Sequence, residues 1–362
     1  ANIPEKTHNN PLLWKNWYAT QNKIERNIRS ANVELYETKL DDEFNWIKIV
    51  DSPYDDLSYY YVASQTFAFK LLGYQLPSSV SDSPSQSKSI CSFQYETPAP
   101  FVDVDFEKVV IACCSDASVP SVTPQHTSTR ECVLLRNNPL LDGTPLDIEN
   151  ASRFPLTNGN LEAISVKQHQ LATSFGSPEN YVSLWDLNTG QLSFNQTVSD
   201  TNTLKCENLA WQTDSTDNQN VVSLWGSSSK EYTLYVTDPR QPHPCIKLAL
   251  GSKPPRVLMR NNILGVMADN AVGRRSYNSV KLHDLRKLTM EQFGEIESVG
   301  SKFHAFTFDE NLTRLLIVHN EMSLEFLSLH DCKTQHTIPS WAWQSPSFSQ
   351  DVPAINQIHS TS

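Results

Sequence analysis

Four aspartates recur at similar intervals in the second half of the chain, and their carboxylates are the first groups to test for chemistry. Asp186, Asp238, Asp284 and Asp331 lie 52, 46 and 47 residues apart. A carboxylate can act as a general base or bind a metal, but each of these directly follows a strand-like apolar segment. At that position the side chain can accept backbone N–H bonds and fix the turn after the strand. We therefore interpret the four aspartates as structural.

Histidine and cysteine offer one local pair with metal-ligand chemistry, His330 and Cys332. On a strand, residues two apart face the same side and could bind one metal ion. The pair directly follows the apolar segment that ends at Leu329, so a repeat turn is the favoured interpretation, and His283 before Asp284 is interpreted likewise. No hydrolase, zinc-protease or phosphate-loop motif occurs in the sequence. We predict no catalytic activity, no metal site and no cofactor.

The aspartates close repeating units, of which Tyr181–Asp186 followed by the turn Leu187–Gly190 is the clearest. Units of 40–50 residues that contain several strands are typical of β-propeller blades. Six units can be counted, and a seventh could combine a strand near Trp341–Trp343 with Val33–Thr38. The sequence therefore predicts an all-β fold, a six- or seven-bladed propeller over residues 33–345. A short helical segment (1–32) precedes it, a polar tail (346–362) follows it, and Ser78–Ser89 is predicted to be a polar loop.

Charge and cysteine content narrow the classes of partner. The net charge of -11 disfavours sequence-independent binding to nucleic acid, which needs a basic surface. No apolar run is long enough to span a bilayer, so no membrane partner is predicted. The seven cysteines are scattered without a Cys-x-x-Cys motif and predict reduced thiols in a reducing compartment. The expected location is cytoplasmic or nuclear.

The closing segments resemble those of WD-repeat proteins. Leu184-Trp185-Asp186 with Asn188-Thr189-Gly190 is the strongest match, and Val236-Thr-Asp238, Leu282-His-Asp284 and Leu329-His-Asp331 are weaker ones. The chain departs from the family pattern because only one unit ends in Trp-Asp and no unit begins with a clear Gly-His pair. The resemblance implies that Trp185 and the four aspartates maintain the repeat and that the propeller presents surfaces for protein partners.

A second resemblance lies near the start of the chain. The segment Asn10–Tyr18 is similar to the end of an F-box, where a Leu-Trp-Lys step and a following aromatic lead into the substrate-binding domain. Leu13, Trp14 and Lys15 match that step, and Trp17 or Tyr18 supplies the aromatic. The resemblance implies that these residues lie next to a ubiquitin-ligase adaptor. It also implies either that most of the F-box has been removed or that the F-box begins before Ala1.

Two arginines leave an alternative open. Asp238-Pro-Arg240 and Asp284-Leu-Arg286 resemble the Trp-Asp-x-Arg motif with which some WD-repeat receptors bind the damaged-DNA-binding adaptor of another cullin ligase. A local ion pair with the preceding aspartate is the favoured interpretation of each arginine. The function expected from the sequence is a non-catalytic propeller that recognises protein substrates for an F-box ubiquitin ligase. A receptor for the other adaptor, a scaffold subunit and, last, a propeller enzyme remain as alternatives.

Overall fold

The structure is a computed structural model that describes the strands and many of their turns between residues 46 and 339. The described residues are Arg26, which is helical, and 46–51, 58–64, 69–75, 88–95, 101–105, 108–114, 130–135, 152–156, 160–176, 180–199, 204–211, 220–227, 231–241, 246–251, 254, 256–260, 262–272, 275–285, 292–298, 302–309, 313–321 and 323–339. None of them belongs to a helix long and apolar enough to cross a membrane.

The described strands form six four-stranded antiparallel sheets, each built from four consecutive strands. The first three sheets contain β1 (Trp46–Asp51), β2 (Ser58–Ser64), β3 (Phe69–Gln75) and β4 (Lys88–Tyr95); β5 (Phe101–Asp105), β6 (Lys108–Cys114), β7 (Arg130–Leu135) and β8 (Ser152–Pro155); and β9 (Asn160–Lys167), β10 (Gln170–Gly176), β11 (Asn180–Asp186) and β12 (Gln191–Ser199).

The other three sheets repeat this arrangement. They contain β13 (Leu204–Trp211), β14 (Val221–Ser227), β15 (Tyr232–Thr237) and β16 (Ile246–Gly251); β17 (Arg256–Arg260), β18 (Ile263–Val272), β19 (Arg275–Asp284) and β20 (Gln292–Glu297); and β21 (Phe303–Phe308), β22 (Arg314–His319), β23 (Leu324–Ser328) and β24 (Thr334–Ile338).

The middle strands are buried on both faces because each sheet packs between two others. In β14, Val221 and Trp225 pack towards the third sheet, whereas Val222 and Leu224 pack towards the fifth. The same strand therefore contributes to two hydrophobic clusters, and its sequence is apolar on both faces. Such a row of sheets, each too thin to bury both faces alone, is the architecture of an all-β propeller.

The first strand of each sheet is the innermost one. Contacts join β1 to β5, β5 to β9, β9 to β13 and β17 to β21. These strands run parallel, since Asp103 and Asp105 of β5 bond to the backbone at Val166 and Gln168, two residues apart in the same direction. Every sheet therefore has a strand-start end, where its first strand begins, and a repeat-turn end, where that strand finishes.

Most of the strands predicted from the sequence are present, and each unit has the fourth strand that its spacing implied. The loop predicted over Ser78–Ser89 is two residues too long, because Lys88 and Ser89 pair with β3 as the start of β4. The segments Val33–Thr38 and Trp341–Trp343 and the boundaries at 32 and 345 lie outside the described residues.

The blade number predicted from the sequence, six or seven in a closed ring, is corrected by the interfaces between sheets. A closed ring has as many interfaces as blades, so six or seven were expected. The described residues form five, one between each sheet and the next along the chain. No extensive contact joins β21–β24 to β1–β4 within these ranges. The spacing of strands along the sequence indicates how many sheets form. Closure of the ring depends on contacts between the first and last sheets, which that spacing does not encode.

Candidate functional site

The repeat aspartates lie at the repeat-turn end of their sheets, where they organise the turn after the third strand. Asp186 Oδ1 accepts a hydrogen bond from the Asn188 backbone N–H at 2.7 Å, and the Gly190 N–H donates to the Asp186 carbonyl. Asp331 Oδ1 accepts from the Lys333 N–H at 3.3 Å. These are aspartate turns, in which the carboxylate replaces a backbone acceptor. The geometry gives both side chains a role in the local backbone.

Asp238 combines this turn with an ion pair. Its Oδ1 accepts from the Arg240 backbone N–H at 3.0 Å, and the Arg240 guanidinium donates to both carboxylate oxygens at 2.8 and 2.7 Å. The hydrogen bonds from Arg240 hold the pKa of the Asp238 carboxyl below its ordinary value. The arginine proposed as an adaptor contact is therefore held bidentately by its own turn. Arg286 lies outside the described residues.

His330 and Cys332 lie in the turn between β23 and β24 and not on a strand. Cys332 has a left-handed backbone (φ 54°), and its thiol packs so closely on Gly294 that a Cβ there would lie 2.6 Å from Sγ. His330 is exposed. Within the described part of the chain, no three His, Cys, Asp or Glu side chains are grouped so that they could hold a metal ion. Both residues lie in the segment that connects the two strands.

Trp185, the tryptophan of the one true Trp-Asp step, is buried in the interface between the second and third sheets. Its indole N–H donates to the Thr173 hydroxyl at 2.9 Å, and Thr173 in turn donates to the Ser183 carbonyl. A buried tryptophan needs such a partner for its N–H. The position ties the second and third strands of the sheet together.

The innermost strands hold a set of acidic residues that the sequence did not single out. Asp103 of β5 is only 6% exposed. One of its oxygens accepts from Lys48 Nζ of β1 at 2.6 Å, and the other accepts from the Val166 N–H of β9 at 2.6 Å. This single carboxylate therefore links the first three sheets.

Two further carboxylates also accept hydrogen bonds from the neighbouring sheet. Asp105 accepts from the Gln168 backbone N–H of the third sheet, and Glu162 of β9 accepts from the Cys206 backbone N–H of the fourth. Paired acids two residues apart, such as Asp103 and Asp105, could suggest general acid and base catalysis. Here each carboxylate bonds to the backbone of the neighbouring sheet, so the set holds sheets in register.

A shallow apolar cleft opens between the fourth and fifth sheets. It encloses about 260 Å³, including its solvent-open part, and is lined by Asn208, Ala210, Val222, Leu224, Val257 and Met259. Asn208 and Ala210 are exposed on the innermost strand β13. The part of the cleft that can hold another molecule is about 20 Å³, room for about one water molecule. The cleft is therefore too small to hold a ligand or a side chain of a partner.

The strand-start end of the fourth to sixth sheets carries basic residues. Lys205 is exposed near the start of β13, Arg256 opens β17, and Lys302 directly precedes β21. Exposed acidic residues lie at the same end of these sheets, among them Glu231, Glu297 and Glu321. This end therefore carries charges of both signs.

The F-box-like residues Leu13, Trp14, Trp17 and Tyr18 lie outside the described residues, so their role stays a prediction. The inner carboxylates Asp103, Asp105 and Glu162 were missed, although the alternation in Phe101-Val-Asp-Val-Asp105 marks the first two. An acidic residue at every second position of an otherwise apolar strand is the signal that could have found them.

Similarity to known proteins is limited to the fold of solved structures. No protein-family model matches the chain, and no curated protein matches it. Among solved structures, the WD40 β-propeller domain of Doa1 is similar over 80% of this chain and 81% of that chain, with a TM-score of 0.45 and 11% identity. A TM-score of 0.45 is too low to support a conclusion about the function of this chain. The propeller assignment depends on the stacked four-stranded sheets.

Proposed function

We propose that this chain is a protein-interaction propeller that serves as the substrate-recognition subunit of an F-box ubiquitin ligase. The observation that supports an interaction role is that acidic side chains able to act in catalysis bond to the backbone instead. Among the described residues, the carboxylates of Asp103, Asp105 and Asp186 bond to backbone groups, and none forms a nucleophile–base pair. The propeller ends are the surfaces that stay available to a partner.

The ligase role is supported by the Leu13-Trp14-Lys15 step and the aromatics Trp17 and Tyr18 that follow it. In such a ligase the receptor contributes no chemistry of its own. It holds a substrate lysine near a conjugating enzyme, and the effective concentration this creates accelerates transfer. The N-terminal segment would contact the adaptor, and the propeller would hold the substrate.

The test is affinity capture from cell extract with the full chain, beside a variant with Leu13→Ala, Trp14→Ala and Trp17→Ala. The proposal predicts recovery of the F-box adaptor and a cullin with the parent and their loss with the variant. A matched control, Trp185→Phe, changes a tryptophan inside the propeller and should keep both partners. Recovery of neither partner by the parent chain would refute the ligase role and leave a scaffold propeller.

The damaged-DNA-binding adaptor is the other outcome of the same capture. Arg240→Glu and Arg286→Glu would abolish that association if the two arginines bind it. The bidentate pair between Arg240 and Asp238 favours the local role, because an adaptor would have to compete with a partner already in place.

A further inference from the structure

The interface between the third and fourth sheets, called here the third–fourth interface, contains four buried polar side chains without a hydrogen-bond partner. Gln196 is 4% exposed, and Ser223, Trp225 and Thr237 are 0% exposed. Within the described residues, no hydrogen bond is formed by the amide oxygen or nitrogen of Gln196, by the two hydroxyls or by the Trp225 indole N–H. A buried polar group that lacks a partner raises the free energy of the folded state. These four side chains are called the unpaired set.

Gln196 represents the third sheet in this set. It lies on β12 between Phe194 and Val198, and both neighbours pack in the hydrophobic cluster that the third and fourth sheets share. Across the strand pair it stands opposite Val182, another member of that cluster. Alternate residues of a strand, and residues paired directly across two strands, face the same side of a sheet. The Gln196 amide therefore faces the fourth sheet.

The other three members lie on the opposite wall of the same interface. Ser223 of β14 is placed between Val221 and Trp225, which both belong to the shared cluster. Thr237 of β15 stands directly opposite Val221. All three side chains therefore face the third sheet, and the whole unpaired set is buried in one interface.

The innermost strand of the fourth sheet is, in contrast, bonded to the third sheet. The Trp211 indole N–H of β13 donates to the Ser165 carbonyl of β9 at 2.8 Å, and the Cys206 backbone N–H donates to the Glu162 carboxylate. The Cys206 thiol is also hydrogen-bonded to Ser174 of β10. Each of these bonds includes an atom of β13, whereas the unpaired set lies on β12, β14 and β15. The interface thus has a bonded inner part at β13 and an outer part with unsatisfied polar groups.

The neighbouring interface, between the second and third sheets, supplies a comparison. Ser183 of β11 is 0% exposed, as Ser223 is, and lies between Tyr181 and Trp185 of the cluster on that side. Its hydroxyl donates to the Asn195 side-chain oxygen at 2.9 Å. Two serines of equal burial therefore differ in whether the closed interface gives the hydroxyl a partner.

We propose that the outer part of the third–fourth interface opens transiently in the folded protein while the bonds of β13 keep the two sheets joined. The unpaired set raises the free energy of the closed state, and opening lets its polar groups bond to solvent. The open state is therefore more populated here than at an interface whose buried polar groups are satisfied. The opening is a property of the fold and is independent of the proposed ligase role.

Hydrogen exchange of the full chain, measured by mass spectrometry, tests the cause of the opening with Gln196→Leu and Thr237→Val. Each change removes unpaired polar atoms and favours the closed state. We expect exchange in segments 192–198 and 232–237 to slow about tenfold and the melting temperature to rise. Gln191→Leu, the same change at an exposed position of β12, is the control and should alter neither.

Two results of that experiment would overturn the proposal. A lower melting temperature in both variants would show that the two side chains have hydrogen-bond partners in the closed state. A higher melting temperature with unchanged exchange would show that the groups stay buried without any opening.

Alkylation of the folded protein measures the opening itself. Ser223→Cys places a thiol in the third–fourth interface, and Ser183→Cys places an equally buried thiol in the second–third interface. N-ethylmaleimide modifies a buried thiol only when it becomes exposed, and peptide mass spectrometry distinguishes the introduced thiols from the native ones. We expect the thiol at position 223 to react about tenfold faster than the one at 183. Equal rates, or faster reaction at 183, would contradict an opening specific to the third–fourth interface.

Discussion

At the scale of single residues, the Asp103 carboxylate forms two hydrogen bonds that join three sheets. It accepts from Lys48 and from the Val166 N–H, both at 2.6 Å, in a nearly buried position. In Asp103→Asn the side-chain amide can accept from only one of the two donors, Lys48 or the Val166 N–H. Its NH2 group then faces the other donor and leaves it without an acceptor. We expect the free energy of unfolding to fall by about 1–3 kcal/mol. Urea denaturation measures this, with Asp269→Asn on the exposed face of β18 as the control expected to change it by less than about 0.5 kcal/mol.

Asp238 makes a prediction about pH. Its ordinary pKa is 3.8, and Arg240 lowers that value in the folded protein. A carboxyl with a lowered folded pKa stabilises the fold above its unfolded value, and this stabilisation is lost as pH falls through the folded value. The parent should therefore be more stable than Arg240→Gln near neutral pH, and the difference should shrink below pH 3.8. The effect is small because the Arg240 side chain is 66% exposed. A difference that does not vary with pH would contradict this account.

The turn role of Asp186 could be inferred from its repeat phase alone, because an aspartate turn is a local contact. The role of Asp103 could not, since its acceptors bond to residues 55 and 63 positions away. The spacing of residues along the sequence can indicate hydrogen bonds between near neighbours. It does not indicate hydrogen bonds between residues that are far apart in the sequence.

At the scale of elements, Asn278 joins the fifth sheet to the sixth. Its amide donates to the Phe303 carbonyl at 2.7 Å and accepts from the Phe303 N–H at 2.8 Å. Asn278→Leu keeps the volume and leaves both backbone groups unpaired, at a cost of about 1–3 kcal/mol for each. Asn278→Asp keeps one acceptor and should be intermediate. Denaturation of the three proteins gives the order, and an Asn278→Leu protein as stable as the parent would refute this role.

Gly265 tests how tightly the same two sheets pack. A Cβ at this position would lie 2.6 Å from the Phe306 ring, which is fully buried. Gly265→Ala should therefore destabilise the protein by about 1–3 kcal/mol through overpacking. Adding Phe306→Leu makes room, so the double variant should lose less than the sum of the single changes. Strict additivity, measured by denaturation, would contradict the contact.

The strands that sequence patterns predicted best are the middle ones, whose continuous apolar runs are buried on both faces. The fourth strands gave a weaker pattern because they lie at the outer edge. In β20 only Ile296 is buried, and in β24 only Ile338 is. One buried residue in a short strand does not form a detectable period. Their existence was inferred from the gap before the next unit.

At the scale of the whole molecule, side chains of the innermost strands join one sheet to the next. Asp103 links the first three sheets, and Glu162 accepts from the Cys206 backbone N–H of the fourth. At the repeat-turn end, Asp186, Asp238 and Asp331 bond to their own turns. These polar side chains serve the fold, and the proposed role of the molecule is to recognise a protein partner.

Affinity capture from cell extract with the full chain, beside the variant with Leu13→Ala, Trp14→Ala and Trp17→Ala, tests the proposed function most directly. The proposed function predicts that the parent recovers the F-box adaptor and a cullin and that the variant recovers neither. Recovery of neither partner by the parent chain would contradict it.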